Sequence, residues 1–217
     1  SSEISAKRCC IEGASSAPKL RFHHRITNVG REPLDFLWKL HPALAVTEHH
    51  RVDVPGRRGE YVGPGWSRLE GALPVFDWPT ARNAAGESAD LRQVLPASSG
   101  KRDFLYVSEL SEGWCAVTDR RRRVGFALAF PREIFPSVWL FMPAGGWRDL
   151  QTVILEPCTS QPKDLDTAFA RGALAHLEPG AALDCDVVAS AYTGVAGVSS
   201  VDPDGNVTPD PTALHGQ

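Results

Sequence analysis

A chain of 217 residues is long enough to bury a sizeable core, and its 42% hydrophobic and 23% charged residues are those of an ordinary globular domain, which excludes a disordered or fibrous chain. The formal net charge of −3 gives no pull toward nucleic acid or an anionic membrane surface. No apolar run reaches the roughly 18 residues that a membrane-spanning helix needs.

Glycine and proline punctuate the chain every ten residues or so. That spacing predicts an all-β, antiparallel sandwich or barrel with at most one or two short helices. From Leu20 to Thr27 apolar and polar residues nearly alternate. Leu20, Phe22 and Ile26 share one face and Arg21, His23 and Arg25 the other, the pattern of a half-buried strand. Asn28-Val29-Gly30 supplies a turn, and a second strand is expected from Leu34 to His41, stopped by Pro42. Thr47 to Gly100 is rich in Gly, Pro and charge and reads as a long loop region over a binding face. Further strands are predicted at Phe104–Leu110, Trp114–Thr118, Val124–Phe130, Ser137–Met142, Thr152–Glu156 and Leu183–Tyr192, and a short helix at Asp164–Arg171, closed by Gly172. The basic run Arg120 to Arg123 reads as a solvated turn between two strands. Beyond Gly194 the chain is polar, with Asp202-Pro203-Asp204-Gly205 as a turn, so an edge hairpin or a disordered tail is expected. The whole, residues 1–217, reads as one β-sandwich domain with residues 1–19 and 195–217 peripheral.

Ser1-Ser2-Glu3-Ile4 has neither the basic start nor the apolar centre of a signal peptide. The five cysteines (Cys9, Cys10, Cys115, Cys158 and Cys185) are odd in number, scattered and without a C-x-x-C pair. A reducing, cytoplasmic setting with mostly buried thiols is the expectation.

Two residues stand out as candidates for acid/base chemistry. Glu156 ends the apolar run Val153-Ile154-Leu155, where partial desolvation suits a proton acceptor near neutral pH. Read locally, the first reading is a structural carboxylate paired with an arginine such as Arg148. His41 closes the second strand, and imidazole both donates and accepts protons near neutrality; a structural histidine at a strand end has the same local sequence. Trp139 and Trp147 flank Pro143-Ala144-Gly145-Gly146 ahead of Glu156, and aromatic faces pack well on sugar rings. Core packing is the alternative for each. His23-His24 and His49-His50 offer at most one ligand each to any one site, because neighbours on a strand point to opposite faces; no metal site is expected.

Two segments together resemble the aldose 1-epimerase (galactose mutarotase-like) family. One is Arg25-Ile26-Thr27-Asn28-Val29-Gly30 through Pro33-Leu34 to Leu40-His41-Pro42, similar to the family's strand closed by a catalytic histidine. The other is Thr152-Val153-Ile154-Leu155-Glu156-Pro157-Cys158-Thr159, similar to its catalytic-glutamate strand. Leu177-Glu178-Pro179-Gly180 and Leu183 to Tyr192 resemble the closing turn and last strand. The likeness covers about Leu20 to Gly194 and is nearest to a divergent bacterial branch. It implies a β-supersandwich, His41 as general acid, Glu156 as general base, and interconversion of the anomers of an aldose or sugar phosphate without metal or organic cofactor. Trp139, Trp147, Arg148 and Glu109 are then the candidate substrate ligands, with Glu109 or Asp77 standing in for the family's mid-chain aspartate on the sugar hydroxyls. A second copy of the chain is a candidate partner; nucleic acid and membrane are not. The family's N-terminal third, with its substrate-binding arginine, has no match ahead of Leu20. A carbohydrate-binding or regulatory protein without catalysis, or an accessory domain of a polysaccharide-active enzyme, is therefore the competing expectation.

Overall fold

The computed structural model describes residues 7–10, 18–62, 67–69, 71, 73–83 and 85–215, with backbone alone for residues 7–10 and 214–215. In chain order the strands are β1 (Lys7–Cys10), β2 (Lys19–Thr27), β3 (Leu34–Phe36), β4 (Ala43–Ala45), β5 (His50–Asp53), β6 (Arg58–Tyr61), β7 (Val75–Asp77), β8 (Thr80–Arg82) and β9 (Ser88–Asp90). They continue as β10 (Lys101–Ser108), β11 (Trp114–Asp119), β12 (Val124–Ala129), β13 (Ser137–Ala144) and β14 (Thr152–Cys158). After the one α-helix of the described residues, α1 (Leu165–Ala170), come β15 (Ala175–Leu177), β16 (Ala182–Thr193), β17 (Val198–Val201) and β18 (Val207–Pro209).

Two six-stranded antiparallel sheets form the sandwich, in the orders β1-β2-β16-β12-β11-β5 and β4-β14-β13-β10-β6-β7. Period-two side chains explain why they stack. Val52, Cys115, Val117, Leu128 and Val187 of the first sheet meet Leu105, Val107, Val138, Leu140, Val153 and Leu155 of the second in one buried core. Each such fully buried aliphatic side chain contributes roughly 1.5–3 kcal/mol.

The predicted strands from Phe104 to Tyr192 are all present, with ends shifted by a few residues. Asp164 caps α1 by accepting from the Thr167 N–H at 2.8 Å. The Arg120–Arg123 run is the β11–β12 turn, its amides gathered by Asp119, which accepts from the N–H groups of Arg121 and Arg122 at 2.9 Å each. Cys115, Cys158 and Cys185 are free and buried.

Three expectations are corrected. The region from Thr47 to Gly100 is not mainly loop: it holds β5 at the edge of the first sheet, β6 and β7 at the edge of the second, and the β8–β9 hairpin. These strands are only three or four residues long, too short for alternation to show in sequence. The tail forms the expected hairpin, β17–β18 around the Asp202–Gly205 turn, but it is neither at an edge nor peripheral: it lies over the outer face of the first sheet, where Val198 and Val201 bury Trp114, Ala116, Ala127, Val188 and Tyr192. That cover is why every residue of β11 is buried, on both faces. Residues 1–6 and 11–17 of the N-terminal segment lie outside the described residues, but Lys7–Cys10 pairs with β2.

The third correction concerns the strand expected to run to His41. Regular pairing stops at Phe36, and the chain then crosses to the second sheet to run beside β14. Thr159 donates its N–H to the Trp38 carbonyl, Leu40 to Pro157 and Leu155 to Pro42. Neither Pro42 nor Pro157 has an N–H, so the ladder is broken on both sides of His41. The Lys39↔Cys158 bridge and the Ala43↔Ile154 pair nevertheless belong to one register.

Candidate active site

That register decides which candidate residues meet. Stepping two residues from Lys39↔Cys158 and two from Ala43↔Ile154 both arrive at His41 opposite Glu156. On the other side of β14, Glu156 pairs with Trp139, Trp139 with Tyr106, and Tyr106 with Glu60. His41, Glu156, Trp139, Tyr106 and Glu60 therefore form one row across the outer face of the second sheet, since directly paired residues share a face. Leu155 and Leu140, one residue away, point into the core.

Glu156 is 2% exposed. Its Oε2 takes an ion pair from the Lys39 ammonium, and its Oε1 lies 3.7 Å from His41 Nε2. His41 is half-exposed, with 52% of its side chain accessible, so the pair joins a buried carboxylate to a group at the surface. Two uncharged groups border the carboxylate. Burial pushes the Tyr106 hydroxyl up to about 12, the Lys163 N–H bond to it acting the other way. Burial likewise pushes the Cys158 thiol up to about 12.

The expected aromatic ligands are placed differently from each other. Trp139 is 3% exposed; its indole N–H donates to the Ser160 carbonyl at 3.1 Å, and the Lys39 ammonium stands 5.0 Å from its ring centre. It is a wall of the site rather than an open stacking platform. Trp147 is half-buried beyond the end of β13 and meets Phe141 edge-on at 5.5 Å. Arg148 is exposed, takes a φ of 51° and stacks on Trp147 at 5.3 Å, not on Glu156.

Glu109 is not brought to this row. β10 ends at Ser108; Glu109 turns off with a φ of 55° and pairs with Arg57 at 3.4 Å. Together with Asp77, Arg57 and Arg58 it lines a cleft of about 580 Å³ at the β6–β7 edge, which none of the residues in the His41–Glu156 row lines. A second cleft, about 790 Å³ and lined by Arg21, Phe130, Arg132 and Asp186 among others, belongs to the first sheet. The pair His23-His24 divides as strand geometry requires: His23 reaches Asp186 at 2.8 Å, whereas His24 turns to the Trp38 ring at 5.2 Å; His49 lies in the turn before β5, which begins at His50.

Sequence reading missed Lys39. The signal was available, because Lys39 and His41 are two residues apart on an extended segment and so share a face. Glu60 and Tyr106 carried no local signal; only strand pairing sets them in the row.

Solved structures share this fold at low sequence identity. A candidate aldose 1-epimerase from Klebsiella pneumoniae superposes with a TM-score of 0.63 at 14% identity, over 86% of this chain and 50% of that one. The protein Slr1438 from Synechocystis gives 0.56 at 19% identity, over 81% and 51%. A galactose mutarotase-like protein from Lactobacillus casei gives 0.54 at 15% identity, over 88% and 73%. The fold is thus the galactose mutarotase-like β-sandwich, and the chain spans about half the length of the first two structures. No family model matches the sequence, and no curated protein does. No helix among the described residues is long and apolar enough to cross a membrane.

Proposed function

We propose that this chain carries an acid/base site that interconverts the α and β anomers of an aldose, with Glu156 as base and His41 as acid. The observation that carries the reading is their opposition in one register, with Nε2 and Oε1 3.7 Å apart. The edge of a pyranose presents two neighbouring oxygens, the C1 hydroxyl and the ring oxygen, that a pair so close can address together. Glu156 Oε1 takes the hydroxyl proton as His41 gives one to the ring oxygen. The C1–O5 bond breaks, the aldehyde forms, C1–C2 rotates, and closure on the other face returns both protons. General acid and base groups held this way contribute about 10²–10⁴-fold in rate. The half-exposed His41 supplies the approach, and the sequence resemblance and shared fold supply the reaction class.

Two-dimensional NMR exchange on the anomers of glucose, galactose and their 6-phosphates tests it. Exchange faster than in buffer is expected for at least one sugar. No acceleration of any of them by the native protein sinks the proposal.

A second reading, sugar binding without turnover, is favoured by one observation: Lys39 occupies one oxygen of Glu156. Calorimetric binding of a sugar whose anomers do not exchange would select it.

A further inference from the structure

Glu156 is held from two directions by residues of one short segment. Lys39 sits diagonal to it across the strand pair and His41 directly opposite, both on the outer face. Diagonal neighbours in a sheet are within reach of a long side chain, so this contact follows from the backbone register and not from a chance surface rotamer. The Lys39 stem is trapped as well. Cys158 is its bridge partner, the Trp139 ring lies under its ammonium at 5.0 Å, and only 32% of the side chain is accessible.

The carboxylate itself has 3% of its side chain exposed. A buried charge left unpaired is strongly unfavourable, which makes the partner part of the site's construction. The other neighbours do not supply a charge. Tyr106 from β10 and Cys158 from β14 are pushed up to about 12, and Trp139 from β13 has none. Lys39 and His41 are the cationic or potentially cationic groups in contact with the carboxylate among the described residues.

The two contacts differ in kind. Lys39 takes Oε2 in a direct ion pair, while Oε1 stays 3.7 Å from His41, outside hydrogen-bond range. One oxygen is engaged and the other is available on the side of the exposed imidazole. We propose that Lys39 is the positioning residue of the site, clamping Oε2 of Glu156 so that Oε1 alone faces His41 and an incoming sugar hydroxyl. This deepens the acid/base reading above and rests on it for its consequence in turnover. Without the clamp the carboxylate turns freely about its terminal bond, and the proton-accepting geometry is met only part of the time.

Two measurements on Lys39→Met and Lys39→Arg test it. In anomer exchange, Lys39→Met lowers kcat about tenfold or more with KM changed less than about threefold, and Lys39→Arg restores most of the rate. The second measurement needs no turnover. Labelling of Glu156 by a water-soluble carbodiimide with glycinamide, read by peptide mass spectrometry, is slow in the native protein and in Lys39→Arg and several-fold faster in Lys39→Met. Equal labelling of native protein and Lys39→Met overturns the clamp. A fall in kcat that Lys39→Arg does not restore also overturns it. Should Lys39→Met fail to fold, Lys39→Gln is read in the same way. If the native protein exchanges no sugar, the proposed activity falls, and the labelling contrast still decides the role of Lys39.

Discussion

His41 faces Glu156 across a strand pair whose hydrogen bonding is interrupted at Pro42 and Pro157. His41 lies on the outer face at the edge of the sheet, its imidazole half-exposed, and the register sets it beside the buried carboxylate. The proposed acid and base thus lie close together, one at the surface and one beneath it.

Replacing Glu156 by Gln keeps the shape and a hydrogen-bond acceptor for Lys39 but removes the proposed base. Exchange is expected to fall by about 10²-fold or more with the thermal transition retained. His41→Gln, altering the more exposed partner, lowers the rate with little change in stability. NMR exchange and circular-dichroism melts check both; a Glu156→Gln protein exchanging at the native rate contradicts the role given to Glu156.

Trp139 is expected to behave as core. Trp139→Ala removes a buried ring that packs on Tyr106 at 4.9 Å, and costs about 3–5 kcal/mol in urea unfolding. Trp147→Ala, at a half-buried loop position, costs roughly 1–2 kcal/mol. Equal and small losses at both positions would show that Trp139 is less embedded than its 3% exposure indicates.

Asp53 ties the tail to the sandwich. Its carboxylate accepts from Arg51 Nε at 2.7 Å and from the Val198 N–H at 3.0 Å, and Arg51 also donates to Asp210 at 2.8 Å. Burial raises the Asp53 carboxyl above its ordinary range, against the pull of Arg51. Asp53→Ala leaves the buried Arg51 with less compensation and is expected to cost about 3–5 kcal/mol. Hydrogen exchange at Val198 should accelerate beyond the global change, because its acceptor is gone.

His50 sets an acid-side dependence of stability. Burial lowers its pKa from the ordinary 6.5, although Asp119, its partner across β5 and β11, pulls the other way. Its Nδ1 accepts from the Thr47 N–H at 3.0 Å, which only an unprotonated nitrogen can do. A depressed folded-state value means that this contribution is complete above 6.5 and is lost as pH falls through the lower folded value. Between about pH 7.5 and 5.5 the native protein should lose more thermal stability than His50→Gln does. Identical losses in the two proteins would remove His50 from the account.

Much of this was legible in the chain. Alternation over Leu20–Thr27 and the apolar run before Glu156 mark strands because a half-buried strand must repeat every two residues. Asp164 and Gly172 bracket a helix for local capping reasons. The same period-two rule places Lys39 beside His41 on one face, and it places Glu156 and Leu155 on opposite ones.

What the sequence alone determined is therefore which residues can share a strand face, and that His41 and Glu156 are of the right kind for proton transfer. Tertiary structure decided which faces meet and which are covered. Trp139 is a wall because the segments carrying Leu37 and Ser160 close over it. Glu109 is elsewhere because a positive φ ends its strand and Arg57 draws it away. Lys39 engages Glu156 because two segments distant in sequence adopt one register. Those outcomes depend on pairings between strands far apart in the chain, and no local pattern of residues encodes the register in which such strands meet.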